Sequence, residues 1–251
     1  MYRKFIVFLL LFILAVNVSF CELVSLCEDL SGAVSVPYDD SDPSSHVYTC
    51  SWRYPQLADD DEFSRAVNAF YQKKEEDAII FDIPILAECM AGYDFDIQCE
   101  TSYSVTCSND DYISFLFTQR EASPEYESLR YFGHTFSRKE IKPDSTVSLP
   151  YLLGILQNGH NDTWLQDRQT AKADSIVRDL VWDMIDKNDM NYDYFDWISY
   201  DYFTEVFFPE EDFYLNSEGN PVFFILPGEM ASEKDGLLTF EILLEDISDE
   251  M

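Results

Sequence analysis

The sequence predicts an α+β fold: an antiparallel sheet with a long central hairpin, and helices packed on one face of that sheet. Two patterns carry this prediction. Residues Tyr93–Ser108 alternate apolar and polar side chains almost without a break, which is typical of a strand with one buried face. Apolar residues also recur at helical spacing, first over Phe63–Tyr71 and again over Ile176–Ile185.

The first predicted elements are a strand and a helix. His46–Tyr54 alternates, with Tyr48, Cys50, Trp52 and Tyr54 on one face. The acidic run Asp59–Glu62 opens the helix, because negative charge is favoured near the positive end of the helix dipole. The apolar stripe of this helix is Phe63, Val67, Phe70 and Tyr71.

The central hairpin pairs Tyr93–Ser108 with Asp111–Gln119, and a third strand covers Glu127–Phe136. Between strand-like segments, Gly133 and His134 indicate a turn with an exposed imidazole rather than a catalytic base. Two helices follow, a short one over Tyr151–Leu156 and a longer one that comes after Asn161-Asp162-Thr163 and ends at about Asp186, with its apolar stripe in the core. A hairpin of Phe213–Leu215 and Val222–Ile225 and a last strand near Leu237–Leu243 complete the prediction, with Phe240 and Ile242 facing the core.

Charge limits the partners. The 251 residues are 47% hydrophobic and 16% aromatic, which is enough for a packed core. Forty-eight acidic side chains against 16 Lys and Arg give a formal net charge of −32. Such a chain repels phosphate backbones and anionic membrane surfaces, so no nucleic-acid binding is expected. A cationic protein or a neutral glycan remains an acceptable partner.

The N-terminus predicts export. Arg3 and Lys4 precede the uncharged run Phe5–Val16, and a more polar stretch ends at Cys21. This order is typical of a secretory signal, and its apolar core is short for a spanning helix, which needs about 20 residues. The expected location is extracytoplasmic: secreted, periplasmic or, if Cys21 is a lipidated first residue, anchored to the cell surface. No transmembrane span is expected after signal cleavage.

The predicted organisation has four parts. Residues 1–21 are the signal peptide, and residues 22–44 form an acidic, irregular lead-in. Residues 45–110 form an N-terminal strand–helix–strand module, and residues 111–247 form a C-terminal module.

The six cysteines, all in the first half, favour disulfides: Cys21, Cys27, Cys50, Cys89, Cys99 and Cys107. On one uninterrupted strand, Cys99 and Cys107 would share a face about 26 Å apart, too far to bond to each other. Each therefore needs another partner, and Cys50 is a candidate. No C-x-x-C occurs and the three histidines are far apart, so no metal site is predicted.

Catalytic motifs are absent from the sequence, including phosphate-binding glycine loops, G-x-S-x-G and H-E-x-x-H. No cofactor is predicted, and no catalytic residue can be named. Among so many carboxylates a glycosidase pair could still occur. The sequence leaves the enzyme question open and favours a protein that is not an enzyme.

The candidate binding site lies in Asn188–Glu233, which contains eleven acidic residues and no Lys or Arg. An acidic surface with aromatic anchors attracts a basic protein. The predicted anchors are Trp197, Tyr200 and Tyr202, and the predicted steering charges are Asp196, Asp201 and Glu205. The alternative interpretation is that the aromatic residues are core and the acids only solubilise the chain.

Several short segments resemble a bacterial extracytoplasmic domain that occurs in RsiV-type anti-sigma factors and beside the catalytic domain of PdaC-type peptidoglycan deacetylases. They are Tyr54–Leu57 with Val67-Asn68, Tyr112–Ser114, Gly133-His134, Ser148-Leu149, Phe213–Leu215, Gly219, Val222–Phe224, Pro227, Glu229, Ala231, Gly236 and Phe240–Ile242. The resemblance implies an α+β domain outside the cytoplasm that, in RsiV-type proteins, binds lysozyme. The chain lacks the sigma-binding segment and the deacetylase domain, so only binding in the cell envelope is carried over. The function hypotheses are a binding module for a cationic, lysozyme-like protein or for wall glycan, a cell-wall glycan hydrolase or tailoring enzyme, and a purely structural envelope protein.

Overall fold

A computed structural model describes residues 25–39, 41–42, 45–142, 145–155, 163–188, 190, 192–244 and 246–247. In this part of the chain the strands form two sheets, one of five strands and one of three, with helices packed on them. The predicted α+β class is confirmed. The predicted signal peptide, residues 1–21, lies outside the described residues.

The five-stranded sheet has the order β1-β2-β3-β4-β5. Its strands are β1 (Leu30–Pro37), β2 (Val47–Tyr54), β3 (Ile97–Ser108), β4 (Tyr112–Ala122) and β5 (Glu127–Ser137). Neighbours pair antiparallel except β2 and β3, which are parallel. A parallel pair requires a crossover, which here consists of α1 (Glu62–Asp77), a π-helical turn (Ala78–Asp82) and α2 (Ile83–Cys89). The sheet is therefore mixed, where the sequence indicated a purely antiparallel one.

The first core lies between this sheet and its crossover helices. Asp61 caps α1 by accepting a hydrogen bond from the Ser64 backbone N–H at 2.6 Å. The predicted strand face of β2 and the apolar stripe of α1 meet in this core, with Phe70 only partly buried. Packing of the crossover helices on one face of the sheet is thus confirmed for α1 and α2.

The C-terminal half builds the second core around the three-stranded sheet. It contains α3 (Leu149–Leu152), α4 (Thr163–Lys187), α5 (Tyr200–Val206), β6 (Phe213–Leu215), β7 (Pro221–Ile225), a 3-10 turn (Glu233–Asp235) and β8 (Leu238–Glu241). The three strands are antiparallel in sequence order. Phe240 and Ile242 are buried as predicted. The short helix begins and ends earlier than expected, since it stops at Leu152.

The long hairpin pairs β3 with β4, but its alternation is interrupted. Ile97, Cys99 and Thr101 are buried on the helix-covered face, as predicted. Val105, opposite Phe115, is 41% exposed. A bulge between Val105 and Cys107 then shifts the register. Cys107 turns to the opposite face and joins the second core. The prediction that Cys99 and Cys107 share a face is therefore wrong, because a bulge reverses the side-chain direction.

Two parts of the predicted organisation, the irregular lead-in and the boundary at residue 110, also differ from the structure. The lead-in predicted to be irregular contains β1, which pairs with all of β2. The boundary predicted at residue 110 falls in the turn between β3 and β4, within one sheet. Residues 45–110 are therefore not a separate structural unit.

The two sheets meet where β6 lies against the face of β4 and β5 opposite the crossover helices. The Leu215 backbone N–H donates to Ser114 Oγ at 3.0 Å, and the Ser114 and Thr135 hydroxyls are 2.9 Å apart. Both hydroxyl residues are buried. At Gly133 of β5 a Cβ atom would lie 1.7 Å from the carbonyl oxygen of Phe213. Only glycine permits this approach of the two backbones.

None of the five described cysteines is in a disulfide. The predicted bridges are therefore not seen in this part of the chain. No helix among the described residues is both long and apolar enough to cross a membrane.

Candidate functional site

The exposed side chain of Trp197 is the centre of the candidate site. It is 58% exposed, which is unusual because tryptophan side chains are highly buried on average. Its ring stacks on Phe195, with centroids 5.5 Å apart, and meets Tyr202 edge to face at 4.7 Å. We call Phe195, Trp197 and Tyr202 the aromatic ledge.

The ledge is fixed to the second core by hydrogen bonds. The Phe195 backbone N–H donates to the Met230 carbonyl at 3.0 Å. The Tyr202 hydroxyl donates to Glu229 at 3.0 Å. Ser199 caps α5 by accepting from the Tyr202 backbone N–H at 3.3 Å. These hydrogen bonds hold the backbone that carries the ledge in place before a partner binds, which lowers the entropy lost on binding.

Three exposed carboxylates lie next to the ledge residues in the sequence or on the same helix. Asp196 precedes Trp197, and Asp201 and Glu205 lie one turn apart on α5, where residues four positions apart share a face. Within the described part of the chain, none of the three forms an ion pair. Their charges therefore add to a negative potential over the aromatic rings.

Tyr200, also predicted as an anchor, faces a different neighbour. It is 40% exposed, its ring packs edge to face on Trp182 of α4, and its hydroxyl donates to Asp179 at 3.2 Å. The structure thus brings Trp197 and Tyr202 together and places Tyr200 against α4. The alternative that the aromatic residues are core holds for Phe203 and Phe207, which are fully buried, and fails for Trp197.

A second candidate region is a cleft of about 400 Å³ at the junction of the two sheets. It is lined by Lys74, Phe132, Gly133, His134, Thr135, Thr146, Val147, Glu210, Glu211 and Phe213. We call it the junction cleft. His134 is only 8% exposed, and its Nδ1 lies 3.3 Å from the Tyr71 hydroxyl. Burial lowers the pKa of His134 to about 3, so the imidazole is neutral.

The predicted turn with an exposed imidazole at Gly133-His134 is therefore wrong. Both residues lie inside β5. Glycine occurs at position 133 because β6 approaches the backbone there. His134 points to the opposite face of β5, where the rings of Phe70 and Tyr71 cover its imidazole.

Two carboxyl groups before β6 have raised pKa values. Burial raises the pKa of Glu210 to about 7, although its Oε2 accepts from the Leu149 backbone N–H at 3.2 Å. Burial also raises the pKa of Asp212 to about 7, although its Oδ2 accepts from the Phe208 backbone N–H at 2.8 Å. A carboxyl group that titrates near neutral pH can act as a general acid. Of these two, Glu210 lines the junction cleft.

We expect Asp212 to make the fold less stable as pH rises. Its pKa is higher in the folded chain than its ordinary value of 3.8, so the folded state binds more protons between about pH 4 and about pH 7. Asp212→Asn removes this loss. As the pH rises through that range, the free energy of unfolding of the variant should increase relative to that of the parent by about 1 kcal/mol or more, since one pKa unit is worth about 1.4 kcal/mol. Urea unfolding across this pH range measures the difference. With exposed Asp110→Asn as the matched control, an equal gain in both variants would contradict the prediction.

An apolar surface was missed by the sequence interpretation. Ile79, Ile80, Phe81, Ile85 and Leu86 are all exposed, on the π-helical turn and α2. We call it the crossover surface. π-Helical turns occur frequently at functional sites, and contiguous exposed apolar groups mark interaction surfaces. The run Ala78–Leu86 could have given the signal, because its apolar residues are too dense for one face of a helix.

Fold and surface together define the class of the chain: an acidic α+β domain with two cores and an exposed aromatic ledge. Among the described residues, no three His, Cys, Asp or Glu side chains are grouped so that they could hold a metal ion.

No protein-family model matches the sequence, and no curated protein matches it. Among solved structures, the fold is similar to a member of the DUF3298 family from Bacteroides fragilis NCTC 9343, with a TM-score of 0.48 and 12% identity over 90% of this chain and 93% of that chain. It is also similar to a DUF3298 family protein from Pseudomonas aeruginosa PAO1, with a TM-score of 0.47 and 9% identity over 90% of this chain and 93% of that chain.

Proposed function

We propose that the chain is a secreted or envelope-associated binding module that takes a cationic protein, such as a lysozyme, or peptidoglycan glycan on the aromatic ledge. The observation that carries the proposal is the exposure of Trp197 above two packed rings, beside three carboxylates without ion pairs. A ring of this size in water has a large area to bury against a partner.

The charges and the rings have different tasks in such a site. Long-range attraction by Asp196, Asp201 and Glu205 raises the association rate of a basic partner. Contacts of Trp197 and Tyr202 would slow dissociation, because Trp and Tyr are enriched among the residues that dominate binding energy. The formal net charge of −32 works in the same direction and disfavours nucleic acid.

The proposed location is extracytoplasmic. The order of charged, apolar and polar residues in 1–21 supports export. The resemblance to the RsiV-type and PdaC-type domain supports the cell envelope and a lysozyme-like partner. Release as a free protein and anchoring through a lipid on Cys21 are both compatible with this proposal.

Removing the three charges tests the proposal. A variant with Asp196→Asn, Asp201→Asn and Glu205→Gln should associate with lysozyme about tenfold more slowly at low salt, since steering changes association rates by about 10- to 1,000-fold. Surface-based kinetics at rising ionic strength measures this. The parent should lose its advantage toward 1 M salt, where the Debye length is about 3 Å.

The matched control is Asp59→Asn, Asp110→Asn and Glu125→Gln, three exposed carboxylates outside Asn188–Glu233. It removes the same net charge and should keep most of the association rate. Equal slowing in both variants would mean that the association rate depends on the overall net charge and not on the three carboxylates near the ledge. If neither lysozyme nor sedimented peptidoglycan binds the parent, the proposal is wrong.

The second candidate is a cell-wall glycan hydrolase or tailoring enzyme, favoured by one observation. Glu210, with a pKa of about 7, lines the junction cleft together with Glu211. Glycoside hydrolysis uses two carboxyl groups, one of which is a general acid with a raised pKa. Incubation with peptidoglycan should then release sugars, and Glu210→Gln should abolish the release. Absence of released sugars from the parent would exclude the hydrolase.

A further inference from the structure

The parallel pairing of β2 and β3 places two cysteines side by side. Cys50 and Cys99 are direct partners in the register of the two strands. Neighbouring strands lie about 4.8 Å apart, and the Cα atoms of bridged cysteines lie about 4.4–6.8 Å apart. Both side chains point to the helix-covered face, where Cys50 is 7% and Cys99 is 2% exposed. The backbone spacing therefore already suits a covalent link.

The two register partners affect each other's ionisation. Interaction with the Cys50 thiol lowers the pKa of Cys99, and interaction with Cys99 together with burial raises the pKa of Cys50. Cys99 is therefore the thiol that ionises first, and a thiolate is the nucleophile in disulfide chemistry.

The neighbours of the pair are already satisfied by one another. Glu121, opposite Cys99 on β4, accepts from the Tyr48 hydroxyl at 2.9 Å and from the Tyr126 hydroxyl at 2.6 Å. Closing a bond between the two sulfurs removes both thiol donors and leaves these two hydrogen bonds in place. It does not strand a buried polar group.

The other described cysteines lie elsewhere. Cys27 and Cys89 are exposed. Cys107 belongs to the second core, where its sulfur accepts from the Asn109 side-chain amide at 3.4 Å. Within the described residues, only Cys50 and Cys99 are register partners in the sheet.

The geometry points to a disulfide between Cys50 and Cys99, formed when the folding chain, before its helices cover the two thiols, meets a disulfide donor such as an oxidised dithiol oxidoreductase or oxidised glutathione. The Cys99 thiolate attacks one sulfur of the donor, which releases the other as a thiolate. The Cys50 thiol then loses its proton and displaces the donor from the mixed disulfide. One S–S bond of the donor is broken, one is formed between β2 and β3, and the donor is reduced to two thiols.

The bond would close a loop that contains the whole crossover. Residues 50–99 include α1, the π-helical turn and α2, which carry the crossover surface. Fixing both ends of this loop restricts the unfolded chain. The modification would therefore hold the crossover on the sheet without altering the aromatic ledge, so it is independent of the proposed function.

The experiment uses the full-length purified protein, reduced and unfolded, refolded with oxidised glutathione, then unfolded again and alkylated without reductant. Peptide mass mapping should show the peptides of Cys50 and Cys99 linked, with a mass lower by two hydrogens than the sum of the two. The oxidised protein should melt roughly 10 °C higher than the reduced protein.

Two variants and one control complete the test. Cys50→Ser and Cys99→Ser should each abolish the linked peptide and the rise in melting temperature, whereas Cys107→Ser should retain the linked peptide. Peptide mass mapping of the parent protein tests the disulfide even if a variant does not fold. Full alkylation of both Cys50 and Cys99 after refolding, or a link from either one to another cysteine, would overturn the inference.

Discussion

Phe115→Asp is expected to unfold the protein. Phe115 is fully buried, and its ring contacts the rings of Tyr71, Tyr103 and Phe136. An unpaired carboxylate at this position costs several kcal/mol, and the lost ring adds about 3–5 kcal/mol. This sum is comparable to the whole stability of a domain, about 5–15 kcal/mol. Circular dichroism and urea unfolding measure the loss. Ile97→Asp, on the neighbouring strand and also fully buried, should have the same effect.

Ser104→Asp is the matched control because it introduces the same charge into the same hairpin. Ser104 is exposed on β3, opposite Leu116. An exposed substitution of this kind changes the free energy of unfolding by about 0.5 kcal/mol or less. Equal losses of stability in Phe115→Asp and Ser104→Asp would mean that the buried and exposed faces of the hairpin are assigned incorrectly.

Gly133→Ala is expected to destabilise the junction of the two sheets by about 3 kcal/mol, the upper range for overpacking. The added methyl group would lie 1.7 Å from the Phe213 carbonyl oxygen. A backbone carbonyl group cannot change rotamer as a side chain can, so β5 and β6 must move apart. The hydrogen bond from the Leu215 backbone N–H to Ser114 Oγ lies at the same junction and should lengthen or break. Thermal unfolding and hydrogen exchange at Leu215 measure the two effects.

Gly92→Ala controls for the general effect of replacing glycine. Gly92 is exposed, and a Cβ atom there has nothing within 4 Å. The substitution should leave stability unchanged or raise it by a few tenths of a kcal/mol through the unfolded chain. Wild-type exchange at Leu215 in Gly133→Ala would contradict the contact between the two backbones.

Local patterns were sufficient for the elements whose burial alternates or repeats. The face of β2, the cap and stripe of α1, and the strands β4 and β5 could be predicted because one side of each is clearly apolar. The strand β1 could not, since Leu30–Pro37 contains Ser, Gly and Pro and its residues are half-buried or exposed. Such a strand is recognisable only by its pairing with β2 at the edge of the sheet.

The remaining differences depend on contacts between distant segments. Parallel pairing of β2 with β3 and the burial of His134 under Phe70 and Tyr71 of α1 leave no periodic signal, because each is decided by tertiary packing. The same is true of the candidate site. Trp197, Phe203 and Phe207 come from one aromatic-rich segment, and only the packing of α5 on the second core buries the two phenylalanines and leaves the tryptophan outside.

The parallel pair also determines the order in which the chain can fold. Strands β3, β4 and β5 are joined by short turns and form contacts of low sequence separation, whereas β2 reaches β3 only after residues 55–96 have been arranged. We therefore expect the β3–β5 meander to form early and the β1–β2 hairpin to add late. Until it adds, the free edge of β3 can pair with a second copy of the chain, and mutual repulsion between two molecules of net charge −32 opposes that aggregation.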